Sequence, residues 1–318
     1  MVLCTRCGKE KAIIHVRHKN ICLCKKCFIT YFNTKAEETL KKAGILDNIS
    51  GKSITVAVSG GKDSLNTLYL MKKLAEKYGF EVNALLINEG IRGYREFTIK
   101  AFLNHVKNLR LDYTIVDLKK ELGFTVDEAA KLFFQGKIEW RPCTVCGITR
   151  RYLLNKYSRE LGATYLATGH NLDDEVQTVV MNILRGDIQA LVRGGIVVRA
   201  EHRKLVSRIK PLHYIYERES LVHALATGIK TPYVECPYAP LSLRWSIREF
   251  LNKIEAEKPG FKYRLLVRTD ELRERLRGKV RVVEFTECKI CGEPSSKDVC
   301  KTCEIKLKLN NLLSTVSN

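Results

Sequence analysis

The chain has 318 residues and no apolar run approaching the ~18 residues of a membrane-spanning helix. Its N-terminus also lacks the apolar core of a secretory leader. A cytoplasmic protein without a membrane partner is therefore expected. Two common phosphate-binding strings are missing as well, the GxxxxGK(S/T) of mononucleotide P-loops and the GxGxxG of dinucleotide folds. There is no low-complexity tract, and no internal repeat beyond two unlike sets of CxxC pairs. Acidic residues are in short supply: 35 Asp and Glu face 55 Lys and Arg, a formal charge of +20. An excess of that size favours a polyanionic partner such as nucleic acid; the alternative is a basic surface that serves solubility alone. The length suffices for one large domain with smaller appendages.

What is present begins with Ser59-Gly60-Gly61-Lys62-Asp63-Ser64. The string follows an apolar strand, Ile54 to Val58, and precedes Leu65, Leu68 and Met71 at helical spacing. Free N–H groups and the positive dipole end at a helix start make an anion site. Glycine lets a phosphate approach the backbone, and Ser59 and Ser64 add hydroxyls. SGGKDS resembles the PP-loop of the N-type ATP pyrophosphatases, which grip the pyrophosphate of ATP and adenylate a substrate.

Twelve cysteines in a cytoplasmic chain point to metal ligands or catalytic thiols rather than disulfides. Near the N-terminus Cys4, Cys7, Cys24 and Cys27 have the paired CxxC spacing of a tetrahedral zinc site and leave Cys22 spare. His15 and His18 are expected to be solvated rather than ligands. Cys288, Cys291, Cys300 and Cys303 form a second, tighter set, with Gly292 and Pro294 shaping the knuckle. Segments this short need such a staple to fold. The central group has only three members, Cys143 and Cys146 in one CxxC and the distant Cys236. Three thiolates leave a metal position open, as in a catalytic centre or a 4Fe–4S cluster with one accessible iron. A persulfide and disulfide relay through Cys146 and Cys236 is the rival reading.

Between the ends, apolar runs alternate with amphipathic stretches. Strands are expected at 82–87, 113–118, 164–168 and 206–209, with helices between them, which predicts an α/β fold with a doubly wound parallel sheet. Helices are expected at 217–227 and 242–254. The resulting division is a zinc ribbon at 1–34, a linker helix at 35–51, the ATP-binding domain at 52–215, a helical extension carrying Cys236 at 216–285, a second zinc ribbon at 286–306 and a tail at 307–318. In such sheets ligands bind beyond the carboxyl ends of strands, where strand order reverses. Two polar strings follow strands, Asn88 to Arg95 and Thr168 to Glu175. Asp173 and Asp174 read either as magnesium ligands beside a nucleotide or as first-turn acids of a helix. His170 reads as a general base or a hydrogen-bonded structural residue. Two basic clusters, His202 to Lys204 with Arg208 and Lys210, and Arg273, Arg275, Arg277, Lys279 and Arg281, are candidate phosphate-docking surfaces or ordinary solvated faces. Trp245 and Tyr238 read as core residues, with stacking on a flipped base as the alternative.

SGGKDS, the EGIRGYRE and CTVCGITRR strings, TGHNLDDE and the two cysteine-rich ends together resemble the tRNA 2-thiouridine synthetases, the group of NcsA and TtuA, relatives of the 2-thiocytidine enzyme TtcA. The resemblance runs from Cys4 to Cys303. It implies ATP with Mg²⁺ bound by Ser59, Gly60, Gly61, Lys62, Asp63 and Ser64, together with Ile87, Asn88, Gly169, His170 and Asp174. It also implies a 4Fe–4S cluster on Cys143, Cys146 and Cys236, two zinc ions, a tRNA substrate and a homodimer. Lys62, Asp63, Arg150 and Asp174 are the implied catalytic residues; some relatives carry lysine at the position of Arg150, and arginine stays protonated. The implied reaction adenylates the C2 oxygen of a tRNA uridine and replaces it with sulfur delivered at the cluster, without net redox change. The wobble uridine is the expected target. A T-loop uridine, a cytidine and a non-catalytic zinc-ribbon RNA-binding role are the alternatives. A ubiquitin-like thiocarboxylate carrier and free sulfide are both open as sulfur donors.

Overall fold

The structure, a computed structural model, describes residues 2–280 and 284–315. Arg281 of the second basic cluster lies outside them. The chain opens with a small hairpin of β1 (Ile14–Val16) and β2 (Ile21–Leu23), in which Ile14 faces Leu23. Helix α1 (Lys25–Lys42) starts directly at Cys24 and runs unbroken through position 34, the expected end of the zinc unit. Phe28, Phe32, Ala36 and Leu40 recur every fourth residue and are buried, so one helical stripe ties the ribbon to the main core.

The central domain builds β3 (Ser53–Ala57), α2 (Lys62–Tyr78), β4 (Glu81–Asn88), α3 (Arg95–Leu109), β5 (Tyr113–Asp117), α4 (Leu118–Leu122), α5 (Val126–Phe134), α6 (Pro142–Glu160), β6 (Tyr165–Thr168), α7 (Leu172–Leu184), α8 (Ile188–Val192), β7 (Val197–Val198) and β8 (Ser207–Ile209). The sheet order is β5-β4-β3-β6-β8-β7, parallel except for the β7–β8 edge pair. Strand β4 shows why the sheet sits between two helical layers. Ala84 and Leu86 join the hydrophobic cluster that holds α1 and α2, while Leu85 and Ile87 join the one that holds α5 and α6. The period of two on a strand buried on both faces gives that division. Strand order reverses between β3 and β6, and the loops after β3, β4 and β6 converge there.

The extension consists of α9 (Glu217–Thr227), α10 (Leu243–Glu257) and α11 (Phe261–Leu276). Ile247, Leu251 and Leu266 pack on Leu172, Val176 and Val179 of α7. A last hairpin, β9 (Thr286–Glu287) with β10 (Pro294–Ser295), leads to α12 (Lys301–Ser314). Ile305 and Leu309 of α12 are buried in the same cluster as Val145 and Leu153 of α6, which pins the C-terminal ribbon to the helix that carries the central CxxC.

Candidate active site

The loop after β3 is locked from inside. Gly60 has φ +85°, and a Cβ there would stand 2.3 Å from the Thr98 carbonyl oxygen, so only glycine fits. The Ser64 hydroxyl donates to the Gly61 carbonyl at 2.9 Å and accepts from the Ser59 N–H at 3.1 Å. Gly61 caps α2 with no side-chain hydrogen bond, which leaves first-turn N–H groups facing the cavity. Lys62 donates to Asp63 at 2.9 Å and to Glu217 at 3.1 Å. The other oxygen of Asp63, Oδ1, is buried and has no hydrogen-bond partner among the described residues. A buried carboxylate oxygen without a partner is costly, and a hard cation would satisfy it.

Gly169 presses on this loop from β6: a Cβ there would lie 2.7 Å from the Ser64 nitrogen. The next residues cap α7. Asn171 accepts from the Asp174 N–H at 3.1 Å, and Asp174 reaches back to the Asn171 N–H at 3.2 Å. Asp174 also lines the cavity. Crowding by protein and the nearby Asp63 charge raise its carboxyl to about 7. A second carboxylate beside Asp63 suits a divalent cation such as Mg²⁺. Asp173 points elsewhere and forms a buried ion pair with Lys262 at 2.5 Å, so only one of the two acids faces the site. His170 lines the same cavity and its Nδ1 meets the Thr168 hydroxyl at 2.9 Å. Desolvation and Lys210 hold its imidazole down at about 3, so it stays neutral.

Glu89 follows β4, is fully buried, and pairs with Arg95 as well as with Arg150, the latter at 3.4 Å. Arg95 donates onward to the Ser59 carbonyl at 2.9 Å. One carboxylate therefore links the phosphate loop to α6.

Cys143 and Cys146 lie inside the first turns of α6, with Pro142 opening the helix, rather than ahead of it. They share the wall of a cavity of about 430 Å³ with Cys236, Tyr94, Tyr238, Trp245 and Arg248. A second cavity of about 700 Å³ is lined by Ser59, Gly61, Asp63, Ser64, Ile87, Gly169 and His170. Both have Cys143, Arg150, Asp174 and Arg244 on their walls. Burial pushes all three thiols up, Cys146 to about 11, so the protein alone keeps them protonated. Three thiols on a cavity wall, with no fourth cysteine among its lining residues, suit a group that keeps one position open. Asn88 donates to Asp117 at 2.9 Å and, by its carbonyl, accepts from the Gly90 N–H at 3.1 Å.

The terminal cysteines are arranged differently. Cys4, Cys7, Cys24 and Cys27 form one set and Cys288, Cys291, Cys300 and Cys303 another, each with its sulfurs within 4.8 Å of one another. Zn–S bonds of about 2.3 Å in a tetrahedron place sulfurs roughly 3.8 Å apart. The Cys7–Cys24 and Cys291–Cys300 separations are 3.9 and 3.7 Å. The N–H of Cys300 donates to Cys288 Sγ at 3.2 Å, as it would to a thiolate. Both sets fit zinc. Cys22 stands outside the first set, on β2 opposite His15.

A family model described as the PP-loop domain matches residues 31–237. The chain belongs to the PP-loop family. Across almost its whole length it is similar to named tRNA-modifying members. The tRNA-5-methyluridine(54) 2-sulfurtransferase of Pyrococcus horikoshii is 34% identical over 98% of this chain and 97% of its own. The cytoplasmic tRNA 2-thiolation protein 1 of Saccharomyces cerevisiae is 33% identical over 95% of this chain and 84% of its own. Among solved structures, the U34-tRNA thiolase NcsA of Methanococcus maripaludis, determined with its 4Fe–4S cluster, matches with a TM-score of 0.81 and 34% identity. That match covers 98% of this chain and 97% of NcsA.

In this PP-loop protein several sequence expectations change. Arg273 is no docking residue: it is buried, paired with Asp270 one helical turn earlier, and donates to the Leu191 carbonyl at 2.8 Å. Lys210 is taken by Glu175 at 2.7 Å, and Arg203 and Lys204 by Glu287 at 2.9 and 2.8 Å. Of that first cluster, the Arg208 side chain has no hydrogen bond or ion pair among the described residues. His18 is not solvated; its ring stacks on Tyr263 with centroids 5.5 Å apart. Tyr238 packs against the core cluster that holds α5 and α6, as expected, and also lines the cysteine cavity, as Trp245 does. Sequence reasoning misses Glu217 and the role of Glu89. Neither lies in a spacing pattern, since both meet their partners only through the fold.

Proposed function

We propose that this PP-loop protein is an ATP-dependent tRNA 2-thiolation enzyme of the cytoplasm that acts on the wobble uridine. The observation that carries the reading is the shared wall between the two cavities, with the phosphate loop on one side and three cysteines on the other. ATP lies along the loop, its leaving pyrophosphate held by Lys62 and the first-turn N–H groups of α2. Asp63 Oδ1 and Asp174 hold Mg²⁺. Ile87 borders the nucleotide from β4, and Gly169 and His170 from β6, whereas Asn88 lines a separate cavity with Gly90 and Arg92. Arg150 stays protonated and stabilises negative charge at the shared wall; it cannot serve as the base. The target uridine enters the smaller cavity, where Tyr238 and Trp245 meet its ring face and its C2 oxygen reaches the nucleotide.

Cys143, Cys146 and Cys236 would hold a 4Fe–4S cluster, which supplies a Lewis-acidic iron for sulfide. The two outer cysteine sets hold zinc and fasten the ribbons. A thiocarboxylated ubiquitin-like carrier and free sulfide are the two donors compatible with an open position, and a homodimer is part of the proposal. Support for the wobble position comes from the full-length similarity to NcsA. The comparable identity to the Pyrococcus horikoshii enzyme favours a T-loop uridine as the second reading.

The test is an anaerobic reaction of cluster-reconstituted protein with ATP, Mg²⁺, sulfide and unmodified tRNA. Nuclease fragments are then analysed by mass spectrometry. Sulfur in the anticodon fragment supports the proposal, and sulfur in the T-loop fragment moves it to the second reading. Thiocytidine, or no thiolation by cluster-loaded protein even with a thiocarboxylated donor, overturns it.

A further inference from the structure

The basic residues at the far end of the larger cavity are not accounted for by nucleotide binding. Arg151 of α6 and Arg185 at the end of α7 both line that cavity. Neither side chain has a hydrogen bond or ion pair among the described residues. Arg208, on the neighbouring strand β8, is not on that wall; its side chain is likewise unpaired among the described residues, because the carboxylate within its influence, Glu175, already accepts from Lys210 at 2.7 Å. Arg208 stands close enough to Arg151 that, after desolvation, it and then Arg150 are the main influences lowering Arg151, to about 10. Elsewhere in the cavity the arginines are occupied. Arg150 meets Glu89, Arg95 holds the Ser59 carbonyl, and Arg244 donates to the Asp174 carbonyl, Gln177 and Thr178.

Distance along the helices separates this cluster from the phosphate loop. Gly169, just before α7, touches Ser64, whereas Arg185 follows the last of the 13 residues of that helix. At 1.5 Å per residue the two ends of α7 are about 20 Å apart. A pyrophosphate held at the start of α2 is beyond the reach of Arg185. Arg151 lies eight positions after Cys143 on α6, about 12 Å along its axis. Arg185 thus lies at the end of the cavity away from the loop.

We propose that Arg151, Arg185 and Arg208 form a binding site for phosphodiester groups of the RNA strand next to the target nucleotide. The proposal rests on the tRNA reading above. Unpaired guanidiniums suit phosphate because their planar fork matches two of its oxygens. Contacts of this kind fix position along the strand without reading sequence.

The experiment measures binding of unmodified tRNA to the full-length, metal-loaded protein by fluorescence anisotropy between 50 and 300 mM salt. Arg151→Gln, Arg185→Gln and Arg208→Gln are compared with the parent chain, and ATP affinity is measured in parallel. Each substitution is expected to weaken tRNA binding about five-fold at 0.15 M salt and to reduce the log–log salt slope by about one. ATP affinity and melting temperature should not change. Parent-like tRNA affinity and slope in the variants overturn the proposal, and so does a loss of ATP affinity with tRNA binding intact. If the parent chain itself fails to bind tRNA at 50 mM salt, the tRNA reading falls and takes this site with it.

Discussion

Lys62 of the phosphate loop donates to Glu217 at 3.1 Å, and the same carboxylate accepts from Arg248 at 3.1 Å. Arg248 lines the cysteine cavity and Lys62 belongs to the loop of the nucleotide cavity, so Glu217 at the start of α9 is in contact with both. An incoming triphosphate must compete with Glu217 for Lys62. Replacing the charge, Glu217→Gln, is expected to tighten ATP binding about two- to five-fold, the range of a partly solvated ion pair. Titration calorimetry with Mg²⁺ and ATP reads this directly; unchanged or weaker binding would show that Lys62 is not restrained by Glu217.

Glu89 should behave as a positioning residue. Glu89→Gln leaves Arg95, which is buried and holds the Ser59 carbonyl, without its countercharge. Loss of a buried ion-pair partner costs about 3–5 kcal/mol. The variant should melt at lower temperature and bind ATP more weakly. Arg150→Lys, which keeps a cation at the exposed end of the same network, should leave the melting temperature close to that of the parent. Equal destabilisation by both changes would contradict this division.

Zinc should be structural at both ends. Metal analysis should find about two zinc ions per chain, and Cys4→Ser or Cys303→Ser should each remove about one. Loss at the C-terminal end should also loosen α6, because Ile305 and Leu309 of α12 pack with Val145 and Leu153. Hydrogen exchange of α6 amides in Cys303→Ser distinguishes this from a purely local effect.

Acid should destabilise the fold first through histidine. His223 stacks on Phe32 with centroids 3.8 Å apart, and its Nδ1 meets Asn66 Oδ1 at 2.9 Å. Because that oxygen only accepts, Nδ1 donates and Nε2 is the bare nitrogen, buried without a partner among the described residues. Burial lowers the imidazole from 6.5 to about 4. Above pH 6.5 both states are neutral and the residue contributes no pH dependence. Between 6.5 and 4 the unfolded chain binds a proton that the native state refuses, so stability falls as pH falls. His223→Gln should reduce the slope of melting temperature against pH in that window, with His170 and His18, both lowered to about 3, supplying the rest; an unchanged slope would contradict the assignment.

The strands, the phosphate loop and the three cysteine sets are legible in the amino-acid sequence because each is a local signal. Strand β4 alternates between two cores, and the CxxC pairs lie on tight turns or one helical turn apart. Glu217, Glu89 and the Leu191 carbonyl that holds Arg273 are not legible there, because each acts through a contact that only the fold creates. Lys62 and Glu217 are 155 residues apart. Charge counting also misleads: Arg273 reads as part of a basic surface, yet Asp270 three positions earlier draws it into the protein. Strand β7, with two residues, is too short to show any period.

The central claim is that activation by ATP and delivery of sulfur use two cavities with one wall. Its most direct test is Cys236→Ser, assayed for tRNA-dependent exchange of pyrophosphate into ATP and for 2-thiouridine. The account predicts that exchange persists, because the phosphate loop and Asp174 are intact, while 2-thiouridine disappears. Thiolation that survives the substitution would contradict it.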